Sequence, residues 1–288
     1  MTTNHNIAGI LLRDGAIVPR LGQGTWYMGD RPSHKSEEIR ALQLGVELGM
    51  NLIDTAEMYG DGKSELLVGE AIQGIRNRVF VVSKVYPHHA GLNHIVQSCD
   101  NSLRRLQTDR LDLYLLHWRG SVPFSETIEG MEKLVEAGKI LRWGVSNLDI
   151  SDMKELTRLS KGTHCVTNQV LYHLGSRGIE YDLLPWQQEN GMPVMAYCPL
   201  AQAGSLRKGL IGHPTVKEIA ERHQVNPFQL LLAWCIRSGQ VIAIPKASSE
   251  AHVIQNAEAA RIQLTEEDLS RLDAAFPKPT RKTPLDIV

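Results

Sequence analysis

Four side chains in the sequence could perform acid–base chemistry together. They are Asp54, Tyr59, Lys84 and His117. A phenol has an ordinary pKa near ~10, too high for an efficient acid at neutral pH. A lysine cation beside it favours phenolate and is expected to lower that value. An aspartate beside the lysine offsets the cost of burying the ammonium. A histidine adjoining all three can orient a carbonyl oxygen and assist the proton. Taken singly, each has a plainer role: a loop cap, a neighbouring ion pair, or packing.

Three of the four end apolar runs. Asp54 follows Asn51-Leu52-Ile53, Lys84 follows Val79-Phe80-Val81-Val82-Ser83, and His117 follows Leu111-Asp112-Leu113-Tyr114-Leu115-Leu116. Tyr59 lies shortly after Asp54, in Thr55-Ala56-Glu57-Met58-Tyr59-Gly60. Further runs at Arg20–Gly24, Ile140–Ser146, Cys165–Gln169, Pro193–Tyr197 and Val241–Pro245 complete eight candidate strands. They are apolar almost throughout, as parallel strands covered on both faces are. Between them lie stretches of helical period, such as Ile39, Leu42 and Val46 before Gly49, and Ile128, Met131, Leu134 and Val135 before Gly138. Strand ends recur about every 23 to 33 residues, one βα unit each, up to Tyr197. The next interval is about 49 residues, and an extra loop over Ala201–Pro214 is expected to fill it. No linker divides residues 1–288, so the reading is one α/β domain, a (β/α)8 TIM barrel. Ile7–Leu12 and Ala16–Leu21, joined through Arg13-Asp14-Gly15, predict an N-terminal β-hairpin. In such a barrel all four reactive residues share the rim where active sites sit.

Composition narrows the function classes. The 288 residues carry 31 basic and 32 acidic side chains, a balance that argues against a general nucleic-acid binder. No run reaches the ~18 apolar residues of a membrane span. The N-terminus lacks the pattern of a signal peptide, so a cytoplasmic, soluble protein is expected. Cys99, Cys165, Cys198 and Cys235 are widely spaced and read as small buried hydrophobes. His88-His89 is a loop pair, and no metal site is expected. Other fragments fail as motifs. Gly62-Lys63-Ser64 lacks the upstream glycine of a P-loop, having Glu57 there. Gly22-Gln23-Gly24 continues to Tyr27 where a dinucleotide fingerprint needs glycine. Gly144-Val145-Ser146-Asn147 is followed by Leu148, which breaks a nucleophile elbow.

Over nearly its whole length the chain resembles the aldo-keto reductases. The likeness rests on Leu52 to Tyr59, on Ser83-Lys84, and on Ser102-Leu103-Arg104-Arg105-Leu106 leading into Asp112 to Trp118. It rests also on Gly144 to Asn147 and Ile244-Pro245-Lys246-Ala247. Gly22 to Gly29, with Asn168 to His173, is similar to bacterial members that reduce methylglyoxal. The resemblance implies hydride transfer from NADPH to an aldehyde or ketone. In it Tyr59 is the general acid, Lys84 lowers its pKa, Asp54 holds Lys84, and His117 orients the carbonyl. Electrostatic stabilisation of the developing oxyanion is the energetic logic.

The same resemblance implies the cofactor contacts. Ser146, Asn147 and Gln169 match the residues that bind the nicotinamide carboxamide, and Tyr197 the ring that stacks on it. Gly24, Thr25 and Trp26 line the cofactor near the chemistry. Pro199, Leu200, Ala201, Gln202 and Leu206 match the segment over the pyrophosphate. Ile244, Pro245, Lys246, Ala247 and Ser248 lead to the 2′-phosphate, and Asn256 to adenine. Two departures occur there: His252 stands where an arginine is common, and Gln255 where a glutamate is frequent. Because histidine lacks the fixed charged fork of arginine, the expectation is NADPH over NADH, but by a reduced margin. Trp26, Tyr27 and Trp118, with Tyr59 and His117, are expected to wall a small-carbonyl pocket. A monomer or weak dimer is expected.

Two other functions use the same residues. Lys84 could form a Schiff base in a barrel aldolase, which borohydride trapping would reveal. A nucleotide-sensing interaction module would bind NADPH with slow turnover. The complete set of four reactive residues opposes both.

Overall fold

The computed structural model describes residues 7–201 and 205–288, with side chains for all of these except 205 and 206. An antiparallel hairpin opens the chain, β1 (Gly9–Leu11) and β2 (Ile17–Pro19), with Gly15 at φ 89° in the turn. Asp14 accepts the Ala16 N–H inside that turn.

Eight parallel strands follow: β3 (Gln23–Gly24), β4 (Leu52–Asp54), β5 (Phe80–Val85), β6 (Leu113–Leu116), β7 (Trp143–Ser146), β8 (Asn168–Leu171), β9 (Val194–Tyr197) and β10 (Val241–Ala243). They are paired in sequence order. Helices alternate with them: α1 (Lys35–Glu47), α2 (Lys63–Ala71), α3 (Leu92–Leu106), α4 (Phe124–Glu136), α5 (Ile150–Arg158) and α6 (Leu183–Glu189). Then come α7 (Ser205–Gly212), α8 (Pro214–Arg222), α9 (Pro227–Ile236), α10 (Glu250–Ala259) and α11 (Glu266–Ala275). A parallel bridge between Leu21 and Ala243 closes the cylinder. It is reinforced by Gly22 N–H to Ala243 O at 2.8 Å and Ala243 N–H to Arg20 O at 2.9 Å. The expected (β/α)8 barrel is thus present.

Side-chain alternation along the strands creates two cores. Leu52, Val82, Leu113, Leu115, Met195 and Ile242 point inward and pack with Ile10, Leu12 and Val18 of the hairpin, which plugs the barrel floor. Ile53, Val81, Tyr114 and Val145 point outward to the helices. The same period carries the inward face to Asp54, Lys84 and His117, each two residues beyond Leu52, Val82 and Leu115.

Two expectations about elements need correction. The segment 201–214 is not simply a loop, because α7 occupies most of it. The long interval holds three helices before β10. Strand β8 runs to Leu171 rather than ending at Gln169, since Leu171 pairs with Tyr197 of β9. Gln169 therefore lies level with Met195, one layer below the rim. Among the described residues no helix is long and apolar enough to cross a membrane.

Candidate active site

At the carboxyl end of the barrel lies a cleft of about 790 Å³. Its floor carries Asp54, Tyr59 and His117, and Lys84 lies sealed behind them. The Lys84 ammonium, fully buried, spends its three protons on Asp54 Oδ2 at 2.7 Å, Thr55 O at 2.8 Å and Tyr59 OH at 3.0 Å. Asp54 Oδ1 accepts from Gln169 Nε2 at 2.7 Å. Asp54 is itself nearly sealed, at 2% exposure. The phenol is delivered by a short 3-10 turn, Tyr59–Gly62, in which Gly60 and Gly62 both have positive φ. Tyr59 meets the His117 ring edge-on at 5.9 Å and faces the Trp26 ring at 6.3 Å.

Burial dominates the electrostatics. It pushes the Tyr59 phenol well above its ordinary value, and the negative charge of Asp54 adds to that. Lys84 was expected to bring it down. The correction follows from geometry: the ammonium is matched by a carboxylate at 2.7 Å, so the phenol faces a nearly neutral pair. Burial pulls Lys84 down and Asp54 up, and their mutual attraction opposes both shifts; we read the pair as ionised. His117 is lowered to about 2 by burial and by the Lys84 charge. Its ring is neutral at any physiological pH, which fits a hydrogen-bond donor rather than a proton reservoir. Its Nδ1 is buried without a partner, leaving Nε2 as the nitrogen available to the cleft.

The remaining sequence-derived positions divide clearly. Gly24, Thr25, Trp26, Tyr27, Trp118, Ser146, Asn147, Gln169 and Tyr197 all line the cleft. So do Pro199, Leu200, Ala201, Ile244, Pro245 and Lys246. Gly24 sits on the closing seam, its N–H bonded to Pro245 O at 3.1 Å. Tyr197 OH donates to Asn147 Oδ1 at 2.8 Å, while Asn147 donates to His117 O at 3.2 Å and Ser146 Oγ at 3.3 Å. Gln169 uses its Nε2 on Asp54 and Met195 Sδ, so its Oε1 alone is left for a ligand. Trp26 stacks on Tyr27 at 4.7 Å, and His117 packs against Trp118 at 4.8 Å.

Ser248 lines a second cavity that adjoins Lys246, whereas buried Ala247 lines neither. On α10, His252 is exposed, Gln255 partly buried and Asn256 buried. Gln202 and the Leu206 side chain lie outside the described residues.

The cleft also has walls that the sequence did not assign to it: Met58, Arg119, Arg207, Ile287, Val288 and Cys198, which was expected to be a buried hydrophobe and is only partly buried. Cys198 directly follows β9 at φ 48°. Its position next to Tyr197 was the only available signal. Arg207 donates to Ala201 O at 2.8 Å.

Residues 20–276 match the family model described as Aldo/keto reductase family. The chain is 59% identical over 271 residues to "Methylglyoxal reductase YeaE" of Escherichia coli K12, covering 94% of this chain and 95% of that protein. It is 32% identical over 268 residues to "Glyoxal reductase" of Bacillus subtilis 168, covering 92% and 91%. Among solved structures, an aldo-keto reductase from Klebsiella pneumoniae in complex with NADPH is similar, with a TM-score of 0.96 at 57% identity, covering 98% of this chain and 100% of that one. With the barrel, the cleft and the reactive quartet already in place, these matches establish that the chain belongs to the aldo/keto reductase family.

Proposed function

We propose that the chain is a single-domain, NADPH-dependent carbonyl reductase acting on methylglyoxal and related small dicarbonyls, with Tyr59 as proton donor. The observation that carries this is the Tyr59 hydroxyl held 3.0 Å from a sealed Lys84–Asp54 pair at the floor of an open cleft. The likeness to a methylglyoxal reductase supports the substrate class, and the likeness to an NADPH complex supports the cofactor. The aromatic walls of Trp26, Tyr27 and Trp118 suit a small substrate. Preference for NADPH over NADH rests on Lys246 and Ser248. Four free thiols fit the reducing cytoplasm, and a monomer or weak dimer is the assembly we propose.

The donor set fits the cofactor. Ser146, Asn147 and the free Gln169 Oε1 can hold a carboxamide, Tyr197 can stack beneath a planar ring, and Lys246 can meet a phosphate. When bound, the reduced nicotinamide supplies the hydride. The chain's own residues manage the oxygen. The neutral His117, through Nε2–H, orients the substrate carbonyl; the proton's place on that nitrogen is inferred from the buried Nδ1. Negative charge builds on the oxygen as the carbon is reduced, and donors aimed at it stabilise the transition state. Tyr59 gives its proton to that oxygen and becomes phenolate. Lys84 then stabilises the phenolate across 3.0 Å, and Asp54 keeps the ammonium in place. The elevated phenol pKa keeps the acid loaded until it is needed.

The test is a spectrophotometric NADPH-oxidation screen over methylglyoxal, glyoxal, aromatic aldehydes and keto sugars. The highest kcat/KM is expected for the small dicarbonyls. A clear preference for keto sugars would overturn the substrate assignment, and NADPH binding without oxidation of any of them would favour a nucleotide sensor.

A further inference from the structure

A second cavity of about 360 Å³ opens beyond the end of the main cleft. The two share Tyr27 and Lys246, so the smaller one continues the larger. Arg31 and His34 enter it from the connection between β3 and α1, and Ser248 from the connection between β10 and α10. Strands β3 and β10 meet at the closing seam, which is why segments so distant in sequence face one another here.

This inference rests on the NADPH reading above, which puts the cofactor's 2′-phosphate at Lys246. One lysine is a sparse site for a phosphate dianion. His252, at the position where an arginine is common, lines neither cavity. Arg31 does. Among the described residues the side chains of Arg31 and Lys246 have no ion-pair or hydrogen-bond partner, so both cations are free to meet an anion. Two carboxylates also border the cavity, and of these Glu38 is already engaged. Buried Glu38 accepts the Gly29 N–H at 2.9 Å, and Asp30 Oδ1 lies over Gly60, 2.5 Å from where a Cβ would stand.

We propose that Arg31 is the second cation of the 2′-phosphate pocket, with His34 and Ser248 as additional donors, in the role left open by His252. A guanidinium offers the planar fork that matches phosphate oxygens, and its reach from the opposite side of the seam closes a clamp with Lys246. Cofactor discrimination in this chain then depends on a loop outside α10.

The experiment is fluorescence titration of the full-length protein with NADPH, NADH and 2′,5′-ADP, using wild type, Arg31→Ala, Arg31→Gln and Arg31→Lys. Loss of the guanidinium in Ala and Gln is expected to weaken NADPH and 2′,5′-ADP about tenfold. NADH affinity stays unchanged, and Lys recovers part of the loss. The salt dependence of NADPH binding should also become shallower. NADPH affinity within about twofold of wild type in both Ala and Gln, or equal losses for NADH and NADPH, overturns the proposal. If wild type itself fails to bind NADPH, the cofactor reading fails too. If it binds and the Arg31 variants match it, only the present inference fails.

Discussion

Replacing Tyr59 by Phe removes one oxygen and keeps the ring, so its consequences can be worked out closely. The packing partners Trp26 and His117 still meet an aromatic face and edge. Lys84 loses one of three acceptors and keeps Asp54 and Thr55. A buried donor left unpaired costs about 1–3 kcal/mol. Melting should therefore fall by several degrees, at roughly 2 °C per kcal/mol for a domain of this size. The catalytic effect is larger. A positioned general acid contributes about 10²–10⁴-fold, or roughly 3–5 kcal/mol of barrier. The assay is single-turnover oxidation of bound NADPH by saturating methylglyoxal, paired with NADPH fluorescence titration. Cofactor affinity is expected within about twofold of wild type, with the chemical step slowed at least a hundredfold. A chemical step within tenfold of wild type would refute the proton-donor role. Equal loss of cofactor binding and turnover would instead make Tyr59 a residue that shapes the cofactor site.

Other perturbations test separate parts of the argument. Asp54→Asn leaves the buried Lys84 ammonium without its counter-ion, so we expect about 3–5 kcal/mol of destabilisation by denaturant unfolding, together with a large loss of kcat. Because His117 is lowered to about 2 and Tyr59 lies above its ordinary range, kcat/KM should show no inflection from either between pH 5 and 8. Gly24→Ala puts a Cβ 2.7 Å from Ile244 O at the seam, and loss of about 1–3 kcal/mol is expected in thermal unfolding, with weakened cofactor binding. Asp268, at 0% exposure, caps α11 with Thr265, meets His223 Nε2 at 2.8 Å and pairs with Arg222. These partners hold its carboxyl at about 2, below the unfolded value. Its contribution, about 2 kcal/mol, is present above pH ~4 and lost as pH falls toward 2. Asp268→Asn should accordingly flatten that stretch of the stability–pH curve.

The catalytic quartet was legible because strand period and barrel geometry act together. Asp54, Lys84 and His117 occupy inward positions at the ends of apolar runs, and any parallel barrel brings such ends to one rim. The hairpin was legible from Asp14-Gly15 between apolar segments. Depth was harder to read. Gln169 resembles a strand-end residue, yet pairing of Leu171 with Tyr197 carries β8 onward and leaves Gln169 within the strand, bonded to Asp54. The Tyr59 shift was misread because a sequence shows that lysine and aspartate are neighbours but not that they cancel. Cys198, Ile287 and Val288 border the cleft through a loop and a tail that carry no periodic signal, and Arg207 through the short helix α7. Helix α7 was obscured for a similar reason: a short segment with two glycines and a proline after it looks like a turn.

The seam between Leu21 and Ala243 also orders events in the life of the chain. It joins residues more than two hundred positions apart in sequence, so a growing polypeptide cannot complete its cylinder until β10 has left the ribosome. Gly24 and Pro245, which flank the cofactor end of the cleft, are bonded across that same junction. Nascent chains truncated before β10 should therefore be unable to retain the dinucleotide, and ligand binding would mark the closure of the barrel.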